Sequence, residues 1–178
     1  MQRSPDNPAI SPKQVKPSAD RYRFRGAFNP GAVRHGDEII LLLRVAEDCP
    51  AAADEIAVPR TDIRDGTGVP GVLRLKRDDP NVVLKDTRGI VYEGIDYLST
   101  MSHIRLARSR DGVHFQIDEQ PFLFPSTPSE VYGVEDARVT RFGDTYFINY
   151  TCVSSDGWAT GLGSTTDFGS VERLGLIF

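Results

Sequence analysis

The sequence predicts an all-β fold built from propeller-type blades, and three observations favour it. First, no segment of the 178 residues shows a sustained helical period. Second, short apolar runs of strand length alternate with turns that contain glycine and aspartate. Third, the hairpin predicted over residues 27–45 recurs without a gap over residues 134–152. Repeated units of strand and turn at this scale are typical of four-stranded propeller blades.

The segment before the first hairpin, residues 1–20, is rich in proline and polar side chains. This composition predicts an extended arm that lies on the surface of the domain formed by residues 21–178. The arm lacks the apolar stretch of a secretory signal. The longest apolar run of the chain, residues 39–43, is too short to span a bilayer. We therefore expect no membrane partner.

The two hairpins contain the clearest strands, residues 39–43 and 146–150, and each of these follows a Gly-Asp turn. A second similarity follows each hairpin, because residues 104–112 resemble residues 160–168. The spacing between these two segments is on the order of fifty residues, as expected of one propeller blade. The alternative is a generic β-sandwich that contains two similar hairpins.

An insertion separates the hairpins by more than one blade spacing, and it occupies residues 46 to about 98. We expect it to be loop-like and charged at first and then to contain one or two strands. Long insertions in a propeller leave from one rim and often wall the substrate pocket. Trp158, at the turn after the second hairpin, is predicted either to stack on a sugar ring at the pocket rim or to pack in the core.

Two blades are too few to close a ring. An open edge leaves unpaired backbone groups and apolar faces exposed, and closure takes at least about four blades. The final residues, 171–178, resemble an outer strand that is cut at its end. We therefore expect the chain to be the N-terminal part of a longer protein, incomplete at its C-terminus.

Composition and charge exclude several classes of function. The formal net charge of −4 argues against a nucleic-acid or anionic-membrane partner. The histidines are isolated, without the spacing of metal ligands, and no phosphate-cradling glycine loop is present, so neither a metal nor another cofactor is indicated. Cys49 and Cys152 are too few for a disulfide framework. A single disulfide is the alternative to two free thiols in a reducing cytoplasm, where we expect the protein.

The densest charged cluster beside an apolar hairpin contains Glu135 and Asp136, at the predicted start of the innermost strand of a blade. Side chains of innermost strands converge on the central channel. Crowding and desolvation raise the pKa of a carboxyl there, which makes it a candidate proton donor. Adjacent residues of a strand point to opposite faces, so the two carboxylates need not share a site. The alternative is a turn-end ion pair with an arginine.

Asn29 occupies the same repeat position as Asp136, so in a propeller both side chains project into the same funnel. Arg44 ends the second strand of its hairpin. An asparagine, an arginine and an aspartate that face one pocket suit a polyhydroxylated or anionic ligand, because they offer donors and acceptors in fixed directions. The alternatives are a turn for Asn29 and a surface charge for Arg44.

Five motifs in their order along the chain resemble glycoside hydrolase family 130. They are FNPGAV (28–33), LLLRVAED (41–48), ARSRDG (107–112), EDARVT (135–140) and YTCVS (150–154). The resemblance runs from about residue 7 to Phe178. It implies a five-bladed β-propeller, of which this chain is the N-terminal two blades or so. The family motif usually has proline where this chain has Ala137, a mild departure, since alanine still permits an extended backbone.

The resemblance also implies roles for individual residues. Asp136 is the general acid, and Asn29 and Arg44 hold the mannosyl unit on the non-reducing side of the scissile bond. Further candidates for substrate binding are Glu135, Arg138 and His103. The last of these is a candidate for the opposite subsite, and a structural role on its strand is the alternative.

The family comprises β-mannoside phosphorylases and β-1,2-mannosidases, and the activity implied here is phosphorolysis. Inorganic phosphate, a co-substrate, attacks the anomeric carbon with inversion and yields α-mannose 1-phosphate, while the proton of the aspartate is relayed through the sugar 3-hydroxyl. The basic phosphate-binding residues belong to later blades, beyond Phe178. The alternatives are an inverting β-mannosidase that uses water, an arabinan- or fructan-active hydrolase, and an inactive carbohydrate-binding fragment. Homo-oligomers are common in the family, and the insertion is a candidate to complete a neighbour's site.

Overall fold

The computed structural model describes Pro5, residues 7–86 and residues 88–178. These residues form β-strands and two short 3-10 segments, Pro12–Gln14 and Pro128–Glu130. In chain order the strands are β1 (Arg23–His35), β2 (Glu38–Asp48), β3 (Glu55–Arg64), β4 (Thr67–Lys76), β5 (Val82–Leu84), β6 (Gly89–Tyr92), β7 (Ile95–Leu98), β8 (Met101–Ser109), β9 (Gln116–Ile117), β10 (Gly133–Phe142), β11 (Thr145–Ser154), β12 (Gly157–Thr165) and β13 (Glu172–Leu176). The prediction of an all-β fold is confirmed.

Eight of the strands form two four-stranded antiparallel units, each with the architecture of a propeller blade. In the first blade β1 pairs with β2, β2 with β8 and β8 with β9. In the second blade β10 to β13 pair in chain order. The blades meet at a parallel bridge between Ser102 of β8 and Gly133 of β10. Both predicted hairpins are present, whereas closure into a five-bladed ring stays a prediction.

Each innermost strand carries a β-bulge at the same repeat position. The register of β1 against β2 shifts just after Phe28, and that of β10 against β11 shifts just after Glu135. Asn29 and Asp136 lie in these bulges with φ angles of 49° and 50°. Asparagine and aspartate tolerate this left-handed region better than other non-glycine residues, because their short polar side chains bond locally. The bulges therefore re-aim the two side chains that the repeat alignment pairs.

The insertion contains more strands than the one or two that the sequence predicts. β3 and β4 form a two-stranded sheet, and β5 to β7 form a three-stranded sheet. The signals that the sequence reading missed are the turns Asp65-Gly66 and Glu93-Gly94, where all four residues have positive φ. Two-residue turns of this kind are the ones that hairpins favour. Proline and charged residues inside these strands, such as Pro59, interrupt the apolar alternation that identifies a strand.

The main core lies between the two blades. Apolar side chains of β2 and β8 pack there against apolar side chains of β10 and β11, and their burial stabilises by roughly 25 cal/mol per Å² of apolar surface. The buried members of this core are Ile40, Leu42, Ile104, Leu106, Leu123, Val134, Ala137, Tyr146, Ile148, Tyr150, Cys152 and Phe168. The innermost strands are thereby fixed side by side.

The N-terminal segment covers the other face of the first blade. Side chains alternate along β2, so Leu43 and Val45 point away from the main core, and Val15 is buried against them. A polar contact anchors the same segment, because the backbone N–H and the hydroxyl of Ser18 both donate to the buried carboxylate of Glu47. The arm is therefore a packed cover on one face of the blade.

Two glycines allow the blades to approach each other closely. A Cβ atom at Gly31 would lie 2.6 Å from the carbonyl oxygen of Ala137, and one at Gly133 would lie 2.8 Å from the backbone nitrogen of Ser102. Both obstacles are backbone atoms, which cannot move aside as a flexible side chain does. These positions therefore set the separation of the blades next to the bulges.

Three smaller features bear on the sequence predictions. Cys49 and Cys152 are buried and free, which confirms the expectation of two free thiols. Trp158 is 85% exposed, so of its two predicted placements the one in the core is wrong. Across the part of the chain that the structure describes, no helix is long and apolar enough to cross a membrane.

Candidate active site

The two bulges bring Asn29 and Asp136 into direct contact at the junction of the blades. The Asn29 side-chain nitrogen donates to both carboxylate oxygens of Asp136, at 3.1 Å each. The Asp136 side chain is 36% exposed, so it remains open to a ligand on one side. The repeat alignment thus identifies two residues that are 107 positions apart in sequence and adjacent in space.

Arg44 joins this pair from β2 and binds two carboxylates at once. One terminal nitrogen lies 3.1 Å from Asp136 Oδ1, and the other lies 2.6 Å from Glu135 Oε1. Glu135 and Asp136 therefore share one cation, although adjacent residues of a regular strand point to opposite faces. The physical reason is the bulge, which adds a residue to β10 and breaks the alternation of side chains between Glu135 and Arg138.

Two residues that the sequence reading missed orient Arg44. The guanidinium carbon stacks 4.8 Å from the centre of the Phe28 ring. Nε of Arg44 donates to the hydroxyl of Ser102 at 3.1 Å, and that hydroxyl also hydrogen-bonds Glu135. A signal for Phe28 was present, since the repeat alignment places it opposite Glu135. Ser102 carries no such signal, because it comes from the strand that follows the insertion.

The surroundings of Glu135 shift the pKa of its carboxyl group in opposite directions. Burial raises the pKa of the Glu135 carboxyl, and the neighbouring Asp136 charge adds to this effect. Arg44 and the Ser102 hydroxyl lower the same pKa, because both stabilise the ionised form. The cluster of Arg44, Glu135 and Asp136 thus combines one cation with two carboxyl groups that share it.

Arg138 holds the backbone of both bulges. One of its terminal nitrogens donates to the carbonyl of Asn29 at 3.1 Å and to that of Ala137 at 3.0 Å. The contact crosses from the second blade to the first, next to the Asn29–Asp136 pair. Arg138 therefore lies at the predicted site, where its contacts with the protein are to main-chain oxygens.

His103 does not join this cluster. It pairs with Val45 across β2 and β8, and alternation places both on the face of the first blade that points away from Asp136. Its side chain is completely buried, and Nδ1 lies 3.5 Å from the carboxylate of Glu47. Burial, followed by the nearby Arg105 charge, lowers the pKa of His103 to about 3. This placement does not support a substrate subsite and fits the structural alternative.

A metal centre is not formed by the described residues, none of whose His, Cys, Asp and Glu side chains gather in groups of three or more that could hold an ion. The donors and acceptors at the blade junction are instead suited to hydroxyl groups. An amide, a guanidinium and two carboxylates offer hydrogen bonds of both polarities within one partly exposed cluster. This arrangement suits a neutral, polyhydroxylated ligand.

The fold and this cluster define a class: all-β proteins with propeller-type blades and a polar candidate site between their innermost strands. A family model described as beta-1,4-mannooligosaccharide phosphorylase, that of glycoside hydrolase family 130, matches residues 79–178. The chain belongs to glycoside hydrolase family 130. The resemblance that its motifs suggest is thereby confirmed.

Two curated relatives, both described as beta-1,2-mannobiose phosphorylase, are similar in sequence. The protein from Listeria innocua serovar 6a is 41% identical over 177 residues, which cover 97% of this chain and 50% of that protein. The protein from Thermoanaerobacter sp. is 36% identical over 58 residues, which cover 33% of this chain and 19% of that protein. This chain therefore spans no more than about half the length of the curated relatives that it matches.

Solved structures are also similar to this chain, and the matches again cover only part of their length. The beta-1,2-mannobiose phosphorylase from Listeria innocua, in complex with beta-1,2-mannobiose, matches with a TM-score of 0.86 at 39% identity. The match covers 99% of this chain and 51% of that one. A glycosyl hydrolase from Bacteroides ovatus matches with a TM-score of 0.63 at 18% identity, over 99% of this chain and 41% of that one. The second likeness shows the shared fold alone.

Proposed function

We propose that this protein acts as a β-mannoside phosphorylase, which cleaves a β-mannosidic bond with inorganic phosphate and releases α-mannose 1-phosphate with inversion. The observation that carries the proposal is the contact of Asp136 with Asn29 and Arg44 at the junction of the blades. The 41% identity to the beta-1,2-mannobiose phosphorylase of Listeria innocua supports the choice of reaction.

In this proposal Asp136 is the general acid, and Asn29 and Arg44 bind the mannosyl unit next to it. The hydrogen bonds from Asn29 to both oxygens of Asp136 are of moderate length, 3.1 Å. A sugar hydroxyl that enters the cluster replaces one of them and connects Asp136 to the glycosidic oxygen through the sugar. The ion pairs of Arg44 with Glu135 and Asp136 keep the carboxylate in place while this exchange occurs.

Phosphate requires cationic donors of its own, since an inverting displacement brings the nucleophile to the far face of the sugar. Arg44 directs both terminal nitrogens to carboxylates, and Arg138 donates to main-chain carbonyls. Arg44 is therefore occupied at both terminal nitrogens and Arg138 at one of them, and we assign neither as the main phosphate ligand. We assign the phosphate site to the part of the relatives that this chain does not span.

The linkage that the protein cleaves is the second element of the proposal. The description of the family model names a β-1,4-linked substrate. The relative that is 41% identical over 97% of this chain is named for β-1,2-mannobiose. Identity over nearly the whole chain includes the blade junction and the insertion. We therefore favour the β-1,2 linkage.

Product analysis tests the proposal directly. The protein is incubated with β-1,2- and β-1,4-mannobiose, each with and without phosphate, and the products are separated and identified. Phosphate-dependent release of α-mannose 1-phosphate from the β-1,2 disaccharide is the expected result. Free mannose released regardless of phosphate would contradict phosphorolysis and favour the mannosidase. Binding of the sugar without turnover by a protein with the full set of blades would favour a non-catalytic carbohydrate-binding propeller.

Location and assembly complete the proposal. We place the reaction in the cytoplasm, because conserving the energy of the glycosidic bond in a sugar phosphate benefits a cell only inside it. We also propose a homo-oligomer in which the inserted sheets, β3 to β7, contribute to a neighbour's site. Sedimentation of a variant with a shortened insertion tests this part, and an unchanged oligomer would contradict it.

A further inference from the structure

A groove outside the candidate active site lies between the three-stranded sheet of the insertion and the second blade. It has a volume of about 350 Å³ and is bounded by β7, by the turn that joins β11 to β12, and by Tyr132 just before β10. A volume of this size lies at the lower end of the range of ligand sites, roughly 300–1,000 Å³. The groove is therefore large enough for a small ligand.

The wall between the insertion and the blade is fixed by a tyrosine pair. The Tyr132 hydroxyl donates to the carbonyl oxygen of Asp96 at 2.6 Å, and the Tyr132 and Tyr97 rings lie 6.0 Å apart. Both rings line the groove. Because one ring comes from the insertion and the other from the blade, these contacts hold the two sides of the groove at a set distance.

Trp158 also lines the groove and is highly exposed to solvent. The residue is 85% exposed, so most of its surface is open to solvent. The preceding residue, Gly157, has a φ angle of 115° and carries no side chain that would cover the ring. An exposed aromatic ring beside a groove is a feature of binding sites, since it offers a flat apolar face at low entropic cost.

Charged side chains line the groove as neutral pairs. Lys85 forms an ion pair with Asp96, and Arg88 forms one with Asp86 at 2.6 Å. Each cation is thus matched by an anion, so the groove has no net charge to attract a phosphate or an acidic ligand. The paired groups still have donors and acceptors to spare for hydroxyl groups. A groove without net charge that offers a flat aromatic surface and several hydrogen-bonding groups suits a sugar chain.

The groove lies within reach of the candidate active site. Val153 lines the groove and pairs with Gly133, and two positions farther along the same ladder Glu135 pairs with Thr151. Trp158 pairs with Val153 from β12. At about 3.3 Å per strand residue and about 4.8 Å between strands, Trp158 lies roughly 14 Å from Asp136. A short oligosaccharide can span that distance.

We propose that this groove is a second carbohydrate site, which binds a distal unit of a β-linked mannooligosaccharide with a sugar ring stacked on Trp158. The proposal rests on the proposed function for the identity of the sugar. It predicts that the protein distinguishes longer chains from the disaccharide, because only longer chains reach Trp158.

Trp158 is the only tryptophan of the chain, so its fluorescence reports on this groove alone. We expect selective indole excitation to show a saturable change in emission with β-1,2-mannotetraose and a much smaller one with mannobiose. Trp158→Ala should weaken binding of the tetrasaccharide, measured by calorimetry, on the order of tenfold. The matched control is Phe142→Ala, which removes a 79% exposed aromatic ring at the β10–β11 turn and should bind as the wild type does.

The outcomes separate this inference from the proposed function. Asp136→Asn should lose turnover and retain the change in emission. In the wild type, a change in emission without turnover supports the groove and contradicts the phosphorylase. Emission that responds to no mannooligosaccharide, or unchanged binding by Trp158→Ala, overturns the groove even if turnover is intact. An equal response to maltotetraose overturns the assignment to mannosides.

Discussion

At the scale of single residues, the candidate site is a network of hydrogen-bond donors around two carboxylates. Asn29 and Arg44 donate to Asp136, and Arg44 also donates to Glu135 and to the Ser102 hydroxyl. Each of these contacts fixes the direction of its neighbour. The carboxylate of Asp136 is consequently held in a fixed orientation by its neighbours.

The first prediction at this scale concerns Asp136→Asn. Asparagine keeps the shape of the side chain and removes its acidity, so turnover of mannobiose with phosphate should fall roughly 10²–10⁴-fold. Initial rates of α-mannose 1-phosphate release measure the loss. Asp144→Asn changes a fully exposed aspartate at the turn of the same hairpin and is the matched control. If both variants retained the wild-type rate, Asp136 would not be the acid.

The second prediction at this scale concerns the pH dependence of stability. The pKa of buried His103 is lowered to about 3, from an ordinary value of 6.5. Between these values the unfolded chain binds a proton that the folded chain does not, so the free energy of unfolding decreases as the pH falls through this window. Glu47, which lies beside His103, has a pKa raised by burial, and its contribution decreases as the pH rises instead.

His103→Gln tests this prediction, because glutamine fills a similar volume and does not titrate. We expect its free energy of unfolding to depend less steeply on pH between 6.5 and 4 than that of the wild type. Denaturant titrations at several pH values measure the slope. Glu47 remains in both proteins and contacts His103, so the difference between the two curves reports the titration of His103 together with its coupling to Glu47. Parallel curves for the two proteins would contradict the prediction.

At the scale of the elements, the bulges and the glycines that face them decide how the innermost strands meet. Asn29 and Asp136 adopt positive φ in the bulges, and the bulge in β10 brings Glu135 and Asp136 to the same arginine. Gly31 admits the carbonyl oxygen of Ala137 between the strands. The pairing of the strands therefore determines where the candidate site lies, and the bulges determine the direction of its side chains.

Gly31→Ala tests the close approach of the strands. A Cβ atom there would lie 2.6 Å from a backbone oxygen, so we expect a loss of about 1–3 kcal/mol in the free energy of unfolding. Gly169→Ala is the control, because the nearest atom is a side-chain oxygen of Asp167 at 3.3 Å. Chemical denaturation of both variants measures the difference. Equal stability of the two variants would show that the strands can separate without cost.

At the scale of the whole molecule, the two blades share one core, and the arm covers the free face of the first blade. Val15 packs on that face, and Ser18 satisfies the buried carboxylate of Glu47. Removal of residues 1–20 exposes apolar surface and leaves Glu47 without these two donors. We expect a loss of about 2 kcal/mol or more in stability, and self-association of the shortened chain.

Thermal unfolding and sedimentation of the shortened chain test the role of the arm. Ser18→Ala is a milder variant, which removes the hydroxyl and keeps the backbone donor, and it should lose less stability than the deletion does. A shortened chain with wild-type stability and no association would show that the arm is dispensable to this face.

The sequence by itself determined the all-β fold, the two hairpins, and the relation between Asn29 and Asp136, because these follow from local periodicity, turn residues and a repeat. It left the number and pairing of the five inserted strands, Ser102 and the place of His103 to the tertiary structure. The two inserted sheets pack against each other, and residues such as Pro59 interrupt the apolar alternation along their strands, so the turns were the local signal that remained. Ser102 reaches Arg44 only because β8 pairs with β2 across the insertion. His103, one residue farther along β8, points to the other face, because a strand reverses its side chains at every step.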